Sequence, residues 1–319
     1  MNTIDKLKLL GYDFIDNDIN NLSEKSSNKK IPPITLIFGP NAHLLEDQFN
    51  LSDFLYIIKN SDLNTKDKLG NNPLINILND NTTRSVAPEE ISLLIKNTPM
   101  DNDNKYLLIY LKNAGEDTDF NINIKPEDVK TLIKKSRQKN LYNIVDIYSN
   151  DNNMTPLMWY FFTKNPKKLN IPIKLIEYLI KNSNLNDINK LGQTALMFLG
   201  HNKNHKDLLP NYLIDYMIKN TNLNQIDYNQ SNAFMCLLVY QSLNTIKLNN
   251  SQLIYLLNNS DNEKIEKNKS WQSNYPGAYN LYLSCKVLKE KNILRSSIKN
   301  IKTPKKIKAN NINNYKVKI

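Results

Sequence analysis

Glycine, cysteine, arginine and alanine are all scarce in this 319-residue chain. Seven glycines leave little room for a glycine-rich phosphate-binding loop. Two cysteines, Cys236 and Cys285, form neither a disulfide framework nor a zinc site. No apolar run reaches the roughly 18 residues of a transmembrane helix. Residues 1–10 contain no uninterrupted apolar stretch, so we expect no ordinary secretory signal and a cytoplasmic protein.

Asparagine and lysine are abundant instead, with 54 Asn and 39 Lys against 3 Arg and 7 Ala. The codons of Asn and Lys are AT-rich, so this bias indicates an AT-rich genome more than selected chemistry. Apolar residues make up 40% of the chain, which is enough to bury the core of one large domain or two ordinary ones.

The net charge of +11 is concentrated at the C-terminal end. Residues 286–319 hold eleven basic residues and one acid, Glu290, which leaves +1 for residues 1–285. Codon bias explains why Lys replaces Arg, but it does not explain the missing acids. The candidate residues of this basic tail are Lys302, Lys305, Lys306 and Lys308.

One eleven-residue segment recurs six times. Its best copies read IEYLIKNSNLN from Ile176 and IDYMIKNTNLN from Ile214. The copies begin at Phe54, Ile91, Val129, Ile176, Ile214 and Leu253, at spacings of 37, 38, 47, 38 and 39 residues. The apolar residues of each copy follow 3–4 spacing, which predicts one face of a helix. Helix entries are predicted near Pro88, Pro126, Pro172 and Pro210.

A shorter apolar segment precedes most copies, such as PLINIL at 73–78, PLMWY at 156–160 and ALMFL at 195–199. Thr or Asn stands before each segment at the position of a helix N-cap. Polar loops with Asp and Gly separate the two kinds of segment. The sequence therefore predicts an all-α fold, a repeat solenoid of stacked helical hairpins.

The loops and the helices that follow them resemble the ankyrin-repeat signature. The stretches DKLGNNPL at 67–74 and KLGQTAL at 190–196 are similar to the family's Asp-x-x-Gly-x-Thr-Pro-Leu, which leads from a hairpin finger into an inner helix. The period of 37–39 departs from the ankyrin value of about 33. A HEAT-like α-solenoid, with a period near 40, stays open as the alternative.

Four regions follow from these patterns. They are an N-terminal capping segment with a degenerate first repeat at 1–50, ankyrin-like repeats at 51–260, a C-terminal capping segment at 261–301, and a basic disordered tail at 302–319.

The resemblance implies that a partner binds on the fingers and on the inner-helix face. The finger candidates are Asp67, Lys68, Asn189, Lys190, Tyr228 and Asn229. Trp159, Tyr160 and Tyr240 are candidates on or near inner helices, because aromatic side chains often dominate binding interfaces. For Trp159 the alternative is a core residue that replaces the small Ala pair of the family.

The sequence contains only weak motifs for metal binding or catalysis. His201 and His205 have the i, i+4 spacing of a metal pair, but no third ligand accompanies them. Cys236 lies in an apolar run without a nearby His, which favours a buried structural thiol. We therefore expect no metal, no cofactor and no enzymatic activity.

The sequence predicts a monomeric, non-enzymatic scaffold for protein–protein interaction, whose protein partner is unidentified. The AT-rich composition suits the ankyrin proteins of host-associated intracellular bacteria and giant viruses. That resemblance implies an effector-like role toward a host protein, after delivery to the host cytoplasm or nucleus. The alternative is a nucleic-acid-binding or nuclear-directed protein that acts through the basic tail, since KTPKKIK at 302–308 resembles a nuclear-import signal.

Overall fold

The computed structural model confirms the all-α class. It describes residues 1–20, 32–39, 42–79, 85–99, 105–115, 124–136, 154–163, 169, 171–201 and 209–302. Across these ranges the backbone is helical or irregular and forms no β-strand, apart from one isolated antiparallel bridge between Ile226 and Asn232.

Sixteen α-helices lie within the described ranges. Their bounds are α1 Thr3–Leu9, α2 Pro33–Ile37, α3 Leu51–Asn60, α4 Pro73–Leu78, α5 Pro88–Asn97, α6 Lys105–Gly115, α7 Pro126–Ser136, α8 Pro156–Phe162, α9 Ile173–Asn182, α10 Ala195–Phe198, α11 Asn211–Asn220, α12 Ala233–Ser242, α13 Asn250–Asn259, α14 Asn262–Lys267, α15 Lys269–Asn274 and α16 Pro276–Lys302.

The six copies of the recurring segment coincide with α3, α5, α7, α9, α11 and α13. Each of these helices begins three residues before the predicted start of its copy, as Leu51 does before Phe54. The prolines stand at the entries as predicted: Pro88 is the first residue of α5, and Pro172 occupies the N-cap of α9. The sequence period therefore located every one of these helices in the same register.

Helix contacts form two series. In the outer series α3 contacts α5 and α5 contacts α7, and again α9 contacts α11 and α11 contacts α13. In the inner series α4, α6, α8, α10, α12 and α16 contact one another in that order. The inner series runs without a break past the 47-residue step between Val129 and Ile176.

The outer helices are amphipathic, whereas α4, α8 and α10 of the inner series are buried over most or all of their length. In α9 the buried face comprises Leu175, Ile176, Leu179 and Ile180, while Ile173 at the first helical position is 39% exposed. All six residues of α4 are buried. A helix that is buried on all sides belongs in a core, so these three inner helices form part of the core.

The first helix is joined to the outer series by a buried ion pair. Asp53 of α3 is 5% exposed and accepts hydrogen bonds from Lys6 of α1, from the backbone N–H of Asn50 and from Thr3. Burial raises the pKa of Asp53, but these hydrogen bonds and the Lys6 charge outweigh it and lower the pKa below its usual value. Asp53 therefore stays ionised at neutral pH and fixes α1 against α3.

Asparagine side chains link the loops that follow successive outer helices. Asn186 Oδ1 accepts from the backbone N–H of Asn222 at 2.6 Å, and Asn224 Oδ1 accepts from that of Asp261 at 2.7 Å. Both bonds join positions 36 or 37 residues apart, which is one repeat. Much of the Asn excess at these positions therefore has a structural role, which codon bias alone does not provide.

This series of hydrogen bonds between successive loops is interrupted between α3 and α5. Pro99 occupies the position that Asn222 holds in the later copy, and proline has no backbone N–H to donate. A cavity of about 310 Å³ lies at this gap, lined by residues that include Asp62, Asn97 and Pro99.

Candidate interaction surface at the finger turns

Three tight turns of identical geometry lead toward α4, α10 and α12. We call them the finger turns and define them as residues 67–71, 189–193 and 227–231. In each, the first residue accepts from the N–H of the fourth at 3.0 Å and donates its own N–H to the carbonyl of the fifth at 2.9 or 3.0 Å. The fourth residue has a positive φ, of 81° at Gly70, 75° at Gly192 and 59° at Gln230.

The first side chain of each turn holds the loop closed. Asp67 Oδ1 accepts from the N–H of Leu69 at 2.8 Å and of Asn71 at 3.0 Å, and Asn189 Oδ1 makes the two equivalent bonds at 3.0 and 2.9 Å. Asp227, which sequence reasoning did not single out, makes the same pair of bonds at 2.9 and 2.8 Å. Side chains that bond to their own backbone in this way stabilise turns.

Two finger candidates therefore prove to be structural. Asn189 is 4% exposed, so its prediction as a partner contact is wrong: its amide is occupied within the turn. Asp67 is half-buried, and its second oxygen accepts from Asn76 Nδ2 at 2.9 Å. One carboxylate oxygen of Asp67 thus closes the turn, and the other attaches the turn to α4.

Of the six residues between the first and fourth positions of these turns, five are exposed and Leu191 is half-buried. Tyr228 is 66% exposed and Leu69 is 76% exposed. Lys68, Lys190 and Asn229 are exposed as well. We call these five residues the finger tips. Sequence reasoning missed Leu69, although an apolar residue inside the polar turn 67–70 was a usable signal.

Neighbouring turns pack directly on each other. The N–H of Tyr228 donates to the carbonyl of Leu191 at 2.9 Å, so two finger turns are joined through their backbones. Gly192 allows this approach, because a Cβ atom there would lie 2.8 Å from the carbonyl oxygen of Ile226. The exposed side chains of Lys190 and Tyr228 consequently belong to one continuous surface.

Two of the aromatic candidates lie in the core. Trp159 is 5% exposed and Tyr160 is 1% exposed, so their prediction as partner contacts is wrong. Both belong to α8, where six consecutive residues are buried. Burial raises the pKa of Tyr160 well above its usual range.

Tyr240 belongs to a half-buried aromatic cluster at the ends of the inner helices. The ring of His201 stacks on Phe162 with centroids 5.0 Å apart and meets the ring of Tyr240 edge-on at 6.3 Å. Desolvation lowers the pKa of His201, which favours neutral imidazole at physiological pH. Tyr240 therefore serves this packing and offers only part of its ring to a partner.

Within the described residues, those with catalytic or metal-binding potential are not brought together. Burial raises the pKa of Cys236 to about 12, so its thiol is protonated at neutral pH. Along the ranges the structure describes, no three His, Cys, Asp or Glu side chains are grouped as a metal site would require. His205 lies outside those ranges.

The C-terminal candidates fall largely beyond the described part of the chain. Lys302 is the last residue of α16. Lys305, Lys306 and Lys308 lie outside the described residues. No described helix is both long enough and apolar enough to cross a membrane.

Comparisons with known proteins add little to the geometry. No family model matches the chain, and no curated protein matches it. It is similar to one chain of a solved complex, that of the Bd0816 predatory endopeptidase from Bdellovibrio bacteriovorus with immunity protein Bd3460. That match has 20% identity, covers 63% of this chain and 92% of the other, and has a TM-score of 0.37. A similarity of this extent supports no conclusion about fold or function.

Proposed function

We propose that the chain is a non-enzymatic protein-interaction scaffold of divergent ankyrin type, which binds a partner protein on its finger tips. The observation that carries the proposal is the separation of roles within each finger turn. The first and fourth residues hold the backbone, while the finger tips between them are exposed to solvent. Exposed loop residues on a rigid scaffold are the usual place for binding.

The ankyrin assignment is supported by the form of the turns. A plain helix-to-helix turn is what a HEAT-like solenoid would use, whereas these turns are hairpin-like, and the helices α4 and α12 that follow two of them are capped by side chains. The side chain of Asn72 accepts from Ile75 N–H at 2.9 Å and that of Asn232 accepts from Met235 N–H at 2.9 Å. The two contact series of helices favour stacked repeats.

The finger tips also favour a particular partner chemistry. Lys68 and Lys190 present two cations, while Leu69 and Tyr228 present apolar area beside them. Tyrosine gives a large contact area with few rotatable bonds, so its immobilisation on binding costs little entropy. A protein surface with carboxylates around an apolar patch fits this arrangement. An effector-like role toward a host protein stays a prediction from the resemblance.

Site-specific cross-linking tests the proposal. Tyr228 is replaced by p-benzoylphenylalanine in the full chain, and the native cells are irradiated. The matched control carries the same replacement at Tyr212, which is 52% exposed on the outer helix α11. We expect one discrete protein adduct at position 228, little at 212, and loss of the adduct when Lys190 is changed to Glu. Equal adducts at both positions would count against a finger-tip interface.

The nucleic-acid alternative depends on the basic tail and stays a prediction. Affinity for DNA or RNA that falls steeply with rising salt would favour it, because several lysines would then neutralise phosphates.

A further inference from the structure

The cavity of about 310 Å³ lies where two outer helices end. Helix α3 ends at Asn60 and α5 ends at Asn97, and residues from both ends line the cavity. Its volume is at the lower end of the range for small-ligand pockets, roughly 300 to 1,000 Å³. Leu63 and Pro99 contribute apolar lining. The cavity can therefore enclose a short aliphatic chain that ends in a polar group.

The cavity coincides with a missing contact between successive loops. In the later loops, Asn186 and Asn224 accept hydrogen bonds from the backbone of the next loop. Asn64 occupies the equivalent position in the sequence, but the next loop offers Pro99, which has no N–H. The two loops are therefore not joined by this bond, and space is left between them.

The hydroxyl group of Ser61 is left without a partner at the cavity. At the equivalent position of the later helices, Ser183 donates to the carbonyl of Leu179 and Thr221 donates to that of Met217, both at 2.8 Å. Ser61 Oγ is buried, lines the cavity and makes no hydrogen bond within the described residues. A buried polar atom without a partner costs free energy, so a ligand that bonds to it would gain affinity.

Asp62 adds a negative charge that its own loop does not require. Its Oδ1 accepts from the N–H of Asn64 at 2.9 Å. Asn184 and Asn222 occupy the same position in later copies and make the same bond at 3.1 Å. An amide is thus sufficient for the loop. Within the described residues Asp62 forms no salt bridge, so its charge is available to a ligand.

The helix ends favour a cation at the same place. Both α3 and α5 have ten residues and end at the cavity, where the partial negative charge of a helix C-terminus lies. Lys59 also lines the cavity and opposes a second cation. Its side chain is exposed and long enough to keep its own ammonium group in water.

We propose that the cavity binds the ammonium group of a lysine side chain presented by another polypeptide. The ammonium group donates to the carboxylate of Asp62 and to Ser61 Oγ, while the aliphatic stem contacts Leu63 and Pro99. One oxygen of Asp62 is already used by its loop, which disfavours the two-oxygen pairing of a guanidinium group and favours an ammonium group. The cavity lies outside the finger turns, so this proposal and the finger-tip interface can fail separately.

A nuclear magnetic resonance titration of the ¹⁵N-labelled full chain tests the proposal. The probes are Nα-acetyl-lysine amide and Nα-acetyl-norleucine amide, which differ in the ammonium group. We expect the backbone amide signals of 61–63 and 97 to shift, and the lysine probe to bind about three to five times more tightly, as suits one exposed ion pair. Asp62→Asn keeps the acceptor for the loop and should remove this difference. Lys59→Gln should tighten binding of the lysine probe about twofold.

The matched control is Asp261→Asn, which changes the acid at the equivalent position of the last copy and should leave both affinities unchanged. Equal affinity of the two probes overturns the proposal, as does an unaltered preference in Asp62→Asn. Signal shifts confined to other parts of the chain, or no saturable shift with the lysine probe, also overturn it. Tighter binding of 1,5-diaminopentane than of the lysine probe would assign the cavity to a free diamine and contradict a polypeptide ligand.

Discussion

Truncating the chain after Asn280 is expected to lower the free energy of unfolding by at least about 3 kcal/mol. The truncation removes Tyr282, which is fully buried and packs its ring against Phe234 with centroids 6.3 Å apart. It also removes the hydrogen bond from Tyr282 Oη to Glu266 at 2.8 Å. The apolar helix α12 then loses its cover, so solubility should fall as well, because a terminal repeat needs a polar outer face.

The matched control ends at Lys302 and lacks only residues 303–319. We expect its urea-unfolding curve, followed by circular dichroism, to match that of the full chain. If this control is destabilised as strongly as the truncation at Asn280, the segment after Lys302 packs on the body. A nuclear-import or nucleic-acid-binding role for the basic tail would then be contradicted as well.

Gly192→Ala should lower the free energy of unfolding by about 3 kcal/mol. An alanine at φ 75° costs about 1 kcal/mol by itself, because the left-handed region is unfavourable for a residue with a Cβ. The added Cβ would also lie 2.8 Å from the carbonyl oxygen of Ile226 and 3.3 Å from Cα of Asp227. Both neighbours are backbone atoms, so the two finger turns must separate, at a further cost of about 2 kcal/mol.

Gly70→Ala is the matched control for that change. Gly70 has a similar φ of 81°, but a Cβ there would meet nothing within 4 Å. It should therefore cost only the conformational term of about 1 kcal/mol. Urea unfolding of both variants measures the difference. Equal losses would mean that the contact between the turns 189–193 and 227–231 adds nothing to stability.

The outer helices could be predicted from the sequence because their pattern is periodic. In α11, Leu213, Ile214, Met217 and Ile218 are buried and polar residues separate them, so spacing alone marks the helix and its face. The inner helices carry no such signal. In α8 apolar residues surround the axis, so Trp159 could not be assigned to core or contact before its environment was known.

The asparagines show a second limit of sequence reasoning. Position 189 and its neighbour Lys190 look equally suitable for binding in the sequence, yet Asn189 closes the turn and Lys190 faces solvent. The difference arises from hydrogen bonds between a side chain and its own loop, which composition cannot reveal. Codon bias accounts for the number of asparagines, but it does not predict that Asn186 Oδ1 accepts a hydrogen bond from the N–H of Asn222.

Hydrogen–deuterium exchange tests most directly whether the finger tips bind the partner. Exchange of the full chain is measured alone and with the protein captured through position 228. The predicted result is slower exchange of the backbone amides in 67–71, 189–193 and 227–231, with α11 and α16 unchanged. Protection confined to the outer helices, or to α16, would contradict a finger-tip interface.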